Sequence, residues 1–93
     1  MQVSFKNSFI KDFKRLPDNI KKEVKEICLS IFPKIKNLSE LKSYKTYPLK
    51  KMRGFKFYYR IKIGDFRLGF KKSGNEIIFM RVLHRKDIYR FFP

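Results

Sequence analysis

The segment from Phe55 to Lys71 alternates with a period of two on either side of a Gly64-Asp65 dipeptide, and few architectures accommodate that pattern. Phe55, Phe57, Tyr59, Ile61 and Ile63 fall on one side of an extended chain, and Lys56, Tyr58, Arg60 and Lys62 on the other. Gly-Asp is a tight-turn dipeptide. The second run therefore pairs antiparallel with the first, with Phe66, Leu68 and Phe70 on one face and Arg67, Gly69 and Lys71 on the other. One face of this predicted hairpin belongs to a core, and the other gathers Arg60, Lys62 and Arg67.

The flanking sequence supplies what a hairpin needs to become stable. After a turn at Ser73-Gly74-Asn75, the run from Ile77 to Leu83 is apolar on both alternations apart from Arg81, as in a strand covered on both sides. The tail from His84 to Phe92 can form one helical turn or a capped extension. At the other end, Gln2 to Lys6 reads as a strand, and Asn7 or Ser8 as the cap of a helix carrying Phe9, Ile10, Phe13 and Leu16, ended by Pro17. A second helix starts near Asp18, places Ile20, Val24, Ile27 and Ile31 on one face, and is expected to stop at Pro33. From Ile35 to Pro48 a loop is expected, anchored by Leu38, Leu41 and Tyr44, with one helical turn at Ser39 to Lys42. The expected fold is α+β: an antiparallel β-sheet of about four strands packed against an N-terminal helical hairpin. With 93 residues, residues 1–93 form a single domain.

Charge narrows the partner. The chain carries 24 Lys and Arg against 8 Asp and Glu, a formal net charge of +16, which points to an anionic partner. No apolar run reaches transmembrane or signal-peptide length, so a cytoplasmic protein with no membrane partner is expected. The excess is not uniform. Residues 1–40 hold nine basic and five acidic side chains, an ordinary solvated pattern. Residues 41–64 hold Lys42, Lys45, Lys50, Lys51, Arg53, Lys56, Arg60 and Lys62, no acid, and interleaved aromatics. Cations with aromatic rings between them suit single-stranded RNA, whose phosphates need neutralising and whose unstacked bases need faces. The alternatives are an acidic protein partner or a merely solubilising run. Lys50, Lys51, Arg53, Lys56, Tyr58, Arg81 and Lys86 are the residues assigned to RNA contact.

Catalytic inventory is sparse. One His and one Cys leave no zinc set and no disulfide, so no metal or cofactor is expected, and Cys28, among Val24, Ile27 and Ile31, reads as a buried thiol. Phosphodiester cleavage without a metal remains open, because RNA carries its own nucleophile in the 2′-hydroxyl. A protein then has to align it, move two protons and stabilise the crowded phosphate. Arg60, Lys62 and Arg67 share a face, and like-charge repulsion favours proton loss from Lys62, the member suited to act as an acid. The arginines stay charged and present forks to phosphate oxygens. Tyr89 either stacks on a base, orients the hydroxyl or covers the core edge. His84, beside Arg85 and Lys86, is either a base or a surface histidine without a role.

The run Tyr58-Tyr59-Arg60-Ile61-Lys62-Ile63-Gly64-Asp65-Phe66-Arg67-Leu68, followed by Met80-Arg81-Val82-Leu83-His84-Arg85-Lys86-Asp87-Ile88-Tyr89-Arg90, resembles the RelE-like toxins of the RelE/ParE superfamily of type II toxin–antitoxin systems. The resemblance implies a compact α+β domain that cleaves mRNA in the ribosomal A site, in contact with the codon and 16S rRNA. It also implies a cognate antitoxin, acidic to amphipathic, that wraps the toxin. Carried over by position, it makes Lys62 the general acid and places Arg67, Arg85 and Tyr89 in the catalytic set. Arg60 stands where the best-studied members carry lysine, and keeps the charge without acting readily as a base. The ParE-like branch of the superfamily poisons DNA gyrase on the same fold, and a basic RNA-binding or ribosome-binding protein without catalysis is the third alternative.

Overall fold

The computed structural model describes residues 1–44 and 47–93; Lys45 lies outside them. The elements in chain order are β1 (Gln2–Phe5), α1 (Asn7–Lys14), α2 (Asp18–Lys25), a π-helical turn (Glu26–Ile31), α3 (Phe32–Lys34), a 3-10 turn (Leu38–Ser43), β2 (Leu49–Lys51), β3 (Tyr58–Ile63), β4 (Phe66–Ser73), β5 (Glu76–His84) and α4 (Ile88–Phe91). The strands form one sheet in the order β1-β5-β4-β3-β2. The α+β fold is as expected, with two differences. Among the described residues there are five strands, because Leu49–Lys51 pairs antiparallel with β3 although three residues are too few to show a period. In addition β1 joins β5 in parallel, so the sheet is antiparallel only from β5 to β2.

The hairpin register places Lys62 opposite Arg67 and Ile61 opposite Leu68, as the alternation requires. Its first strand starts only at Tyr58, however. Phe55 and Phe57 do not reach the core: they are 50% and 49% exposed, in a double turn in which Phe57 has φ 72°. Period two alone does not distinguish a strand from alternating aromatics in a turn.

The helical hairpin packs on the sheet face formed by Tyr59, Ile61, Ile63, Leu68, Phe70, Ile77, Phe79 and Val82, and Phe9, Ile20, Val24, Ile27, Ile31 and Phe32 complete the core. Phe32 meets Phe70 and Phe79 edge-on, with centroids 5.2 Å apart in both pairs. Pro33 does not stop the helix. The helix widens first, so that the Phe32 N–H donates to the carbonyl of Ile27 five residues back, and the chain stays helical to Lys34. Widening the turn relieves the clash a proline ring makes with the carbonyl four residues before it. The expected cap at Asn7 or Ser8 is also absent. Lys6 occupies that position without a side-chain hydrogen bond, and the Ser8 hydroxyl instead donates to the Met80 carbonyl at 2.7 Å. The helical turn expected at Ser39 to Lys42 is present as the 3-10 turn, and Asn37 and Glu40 form a capping box around it. N–H groups of Lys36 and Asn37 donate to the Glu40 carboxylate and hold its pKa below the usual carboxylate range.

A second, smaller core covers part of the opposite sheet face. The C-terminal tail folds back so that Ile88 and Phe92 pack with Met52, Tyr58, Met80 and Leu83. Phe92 lies against Gly69, where a Cβ would stand 2.7 Å from its ring. No helix among the described residues is long and apolar enough to cross a membrane.

Candidate active site

The tail covers only part of that second face, and the uncovered remainder holds the cations. A recess of about 180 Å³ is lined by Pro48, Lys50, Arg60, Lys62, Arg67 and Tyr89. Each side chain arrives for a local reason. Lys50 pairs with Arg60 across β2 and β3, and Lys62 with Arg67 across β3 and β4, so the shared face follows from the pleat. Pro48 accepts a hydrogen bond from the Lys62 N–H at 3.1 Å, extending the β2 edge beside the recess. Tyr89 reaches it from α4, and the Arg60 guanidinium lies 5.0 Å from the centroid of its ring. Arg60 also donates to the Met52 sulfur at 3.5 Å, and Arg67 donates to the carbonyls of Gly64 and Phe66 at 2.9 and 3.0 Å. Both arginines are thereby held in place.

Among the described residues, four cations and no carboxylate line this recess. Its volume lies below the range of about 300–1,000 Å³ usual for small-molecule pockets, and its cations suit a phosphate group. The structure thus brings together Lys50, Arg60, Lys62, Arg67 and Tyr89 from the expected set. Arg85 stands at the end of the hairpin, where its N–H donates to the Asp65 carbonyl at 2.8 Å and its guanidinium lies 3.9 Å from the Asp65 carboxylate, both side chains exposed. It does not line the recess.

His84 is placed on the other face. It pairs with Phe66 at the helix side of the sheet, its ring 5.5 Å from the Phe66 ring, and its Nδ1 accepts the Lys86 N–H at 3.2 Å. Lys51 pairs with Tyr59 and so leaves the recess face as well. Tyr58 packs in the small core, 5.8 Å from Phe92 between ring centroids. Arg53 and Lys56 belong to the turn beyond β2, and Lys86 is exposed beside Arg85.

Arg81 is not a free member of the cationic face. It sits at a bulge in β5, opposite Gly69, and forms a two-point ion pair with Asp12 of α1 at 2.7 and 3.0 Å. Asp12 is 7% exposed and also accepts the Val82 N–H at 3.1 Å. It occupies the β5 edge just beyond the last residue that β1 covers, Phe79. Asp12 is not among the residues expected above, although a lone carboxylate between Phe9 and Phe13 on an apolar helix face signals that a cation meets it there.

Residues 3–89 match the family model described as ParE toxin of type II toxin-antitoxin system, parDE. The chain belongs to this toxin family. Over 93 residues, the full length of both proteins, it is 42% identical to Toxin RelE3 of Methanocaldococcus jannaschii. The toxin of the RelB-RelE antitoxin-toxin complex from Methanococcus jannaschii superposes with a TM-score of 0.78 at 40% identity, covering 96% of this chain and 98% of that one. The archaeal RelE-RelB complex from Pyrococcus horikoshii shares the fold, with a TM-score of 0.65 at 19% identity over 90% of this chain and 93% of that one. In the chain described here, the family's sheet carries the cationic recess on the face opposite the helical hairpin.

Proposed function

We propose that this toxin is a ribosome-dependent mRNA endonuclease that cleaves in the A site by attack of the 2′-hydroxyl, without a metal. The observation that carries the reading is the convergence of Lys50, Arg60, Lys62, Arg67 and Tyr89 on one open recess free of carboxylates. In this reading the 2′ oxygen bonds to phosphorus as the bond to the 5′ oxygen breaks, and Lys62 gives the leaving oxygen its proton. Arg60 and Arg67 stabilise the charge that builds on the phosphate, and Lys50 holds a neighbouring phosphate. Tyr89 stacks on or orients the nucleotide. The recess offers neither carboxylate nor imidazole, so the hydroxyl proton passes to water or to a ribosomal group. In the same reading Arg85 meets RNA at the hairpin end rather than the reacting phosphate. The partner in the resting cell is a cognate antitoxin, as in the RelB-RelE complex of the 40% identical relative.

Primer extension on mRNA from a reconstituted translation reaction tests this. Purified toxin is expected to produce new 5′ ends only with ribosomes present, and Lys62→Ala to reduce their rate by about 10²–10⁴-fold, the range for losing a general acid. Absence of new ends, with Lys62→Ala and Arg67→Ala as toxic as the parent, would overturn the reading. The family model bears the ParE name, so the same samples are assayed for trapped DNA–gyrase complexes; their accumulation with intact mRNA selects a gyrase poison.

A further inference from the structure

Between β2 and β3 the chain makes a tongue whose architecture is not that of a simple connection. Its neck is closed by the Met52 N–H donating to the Tyr58 carbonyl at 2.8 Å, and the Lys72 N–H donates to the Phe57 carbonyl at 2.9 Å from β4. Within it are two successive turns. The Phe55 N–H reaches back to the Met52 carbonyl at 3.3 Å, and the Tyr58 N–H to the Phe55 carbonyl at 3.5 Å. The third residue of each turn has positive φ: Gly54 at 79° and Phe57 at 72°. Glycine is the ordinary solution at that position, and the first turn uses it. The second turn places a phenylalanine there, a bulky side chain in a backbone region that costs it energy.

That side chain does not contribute to the core. Phe55 and Phe57 are half exposed at the tip, where Phe55 helps line an open depression with Lys51, Met52, Arg53, Gly54 and Lys56. Lys56 lies 5.5 Å from the Phe57 ring centroid and Lys71 5.6 Å from that of Tyr58. Strain retained at an exposed aromatic residue with no packing role directs attention to a ligand. The chemistry around it selects the class. Flat faces interleaved with cations and no acid suit unpaired bases on an anionic backbone.

The geometry points to a second RNA subsite in which Phe55 and Phe57 stack on unpaired bases of the strand whose scissile phosphate enters the recess, while Arg53 and Lys56 neutralise its phosphates. The choice of strand rests on the endonuclease reading; the affinity for unpaired RNA does not. β3 joins the two sites. Tyr58 at the tongue and Lys62 in the recess are four residues apart, about 13 Å at strand rise, so one strand a few nucleotides long spans both.

The test uses fluorescein-labelled 2′-O-methyl oligoadenylate, which stacks but offers no free 2′-hydroxyl, in anisotropy titrations with wild-type toxin, Phe57→Gly and Phe55→Ala/Phe57→Gly. Loss of a stacked base weakens binding by about 5- to 150-fold. The expected result is a loss in that range for each variant with an unchanged or raised melting temperature, because glycine relieves the turn while a purely structural phenylalanine would lower it. Duplex RNA of equal length is expected to show little dependence on either residue. Wild-type affinity in the double variant, or an equal loss for duplex and single strand, overturns the subsite. So does unchanged RNA affinity combined with lost binding to an acidic peptide, which would make the tongue a protein-docking surface. If wild-type toxin produces no ribosomal cleavage while the oligoadenylate result stands, the endonuclease reading fails and the subsite remains. If cleavage is intact but the variants bind as wild type, the reverse holds.

Discussion

Gly69→Ala tests whether the tail is seated by a single missing side chain. An ideal Cβ there stands 2.7, 2.8 and 2.9 Å from three carbons of the Phe92 ring. Carbon atoms sit best at about 3.5–4.0 Å, so the ring must retreat by roughly 1 Å. It has nowhere to go without loss, because Phe92 is 2% exposed and packs with Met52, Ile88 and Tyr58. Overpacking of this kind costs about 1–3 kcal/mol. Undocking the tail sets a ceiling about twice as high, since it exposes Phe92 at about 1.5–3 kcal/mol, with a similar term for Ile88. Either way Tyr89, three residues before Phe92, leaves its position under Arg60, and mRNA cleavage should fall further than stability alone explains.

The assay is a double-mutant cycle by urea denaturation, followed by tyrosine fluorescence, on Gly69→Ala, Phe92→Ala and the double variant. If the clash acts through Phe92, the double variant is no less stable than Phe92→Ala, within about 0.5 kcal/mol. Additive losses, or wild-type stability and cleavage in Gly69→Ala, would refute the seating argument.

Two further predictions concern buried groups. Asp12→Ala leaves the Val82 N–H without a partner and Arg81 without its carboxylate; because Arg81 keeps a quarter of its side chain in water, the loss should be near the lower end of the range for a broken buried pair, about 3 kcal/mol by denaturation. A loss under about 0.5 kcal/mol, with unchanged amide exchange at Val82, would show that the edge does not depend on Asp12. Burial pushes the Cys28 thiol well above its ordinary range, so native toxin should resist thiol reagents that label it once unfolded. The unfolded thiol ionises in the ordinary thiol range and the folded one does not. Stability should therefore fall as pH rises through that range, more steeply than in Cys28→Ala; equal slopes would contradict the burial.

The hairpin was legible because its constraints are local: Gly64 with φ 57° makes the turn, and the register between Lys62 and Arg67 follows from it. Most of the recess was legible for the same reason, since pleating alone puts Arg60, Lys62 and Arg67 on one face. What was not legible depends on contacts far apart in sequence. Arg81 read as a cation among others until a carboxylate 69 residues away closed on it. His84 looked like a neighbour of the site because Arg85 follows it, yet the pairing with Phe66 turns it to the helix side. Phe55 and Phe57 extended a correct period-two pattern past the point where Gly54 had already turned the chain.

The same contrast explains which cations matter. Among the described residues two ion pairs form, Arg81 with Asp12 and Arg85 with Asp65, and neither lies in the recess. The first is largely withdrawn from water and serves the fold. The second is exposed at both ends and is worth little. Lys50, Arg60, Lys62 and Arg67 instead face one another without a carboxylate, an arrangement whose mutual repulsion the fold sustains through β-pairing and the small core behind Tyr89. An anion entering the recess removes that repulsion, so its binding free energy appears also as folding stability. The chain's charge is therefore informative where acids are missing rather than where bases are most numerous. Half the sheet is committed to a core, and the part of the other face that the tail leaves open is where an unpaired phosphate gains most.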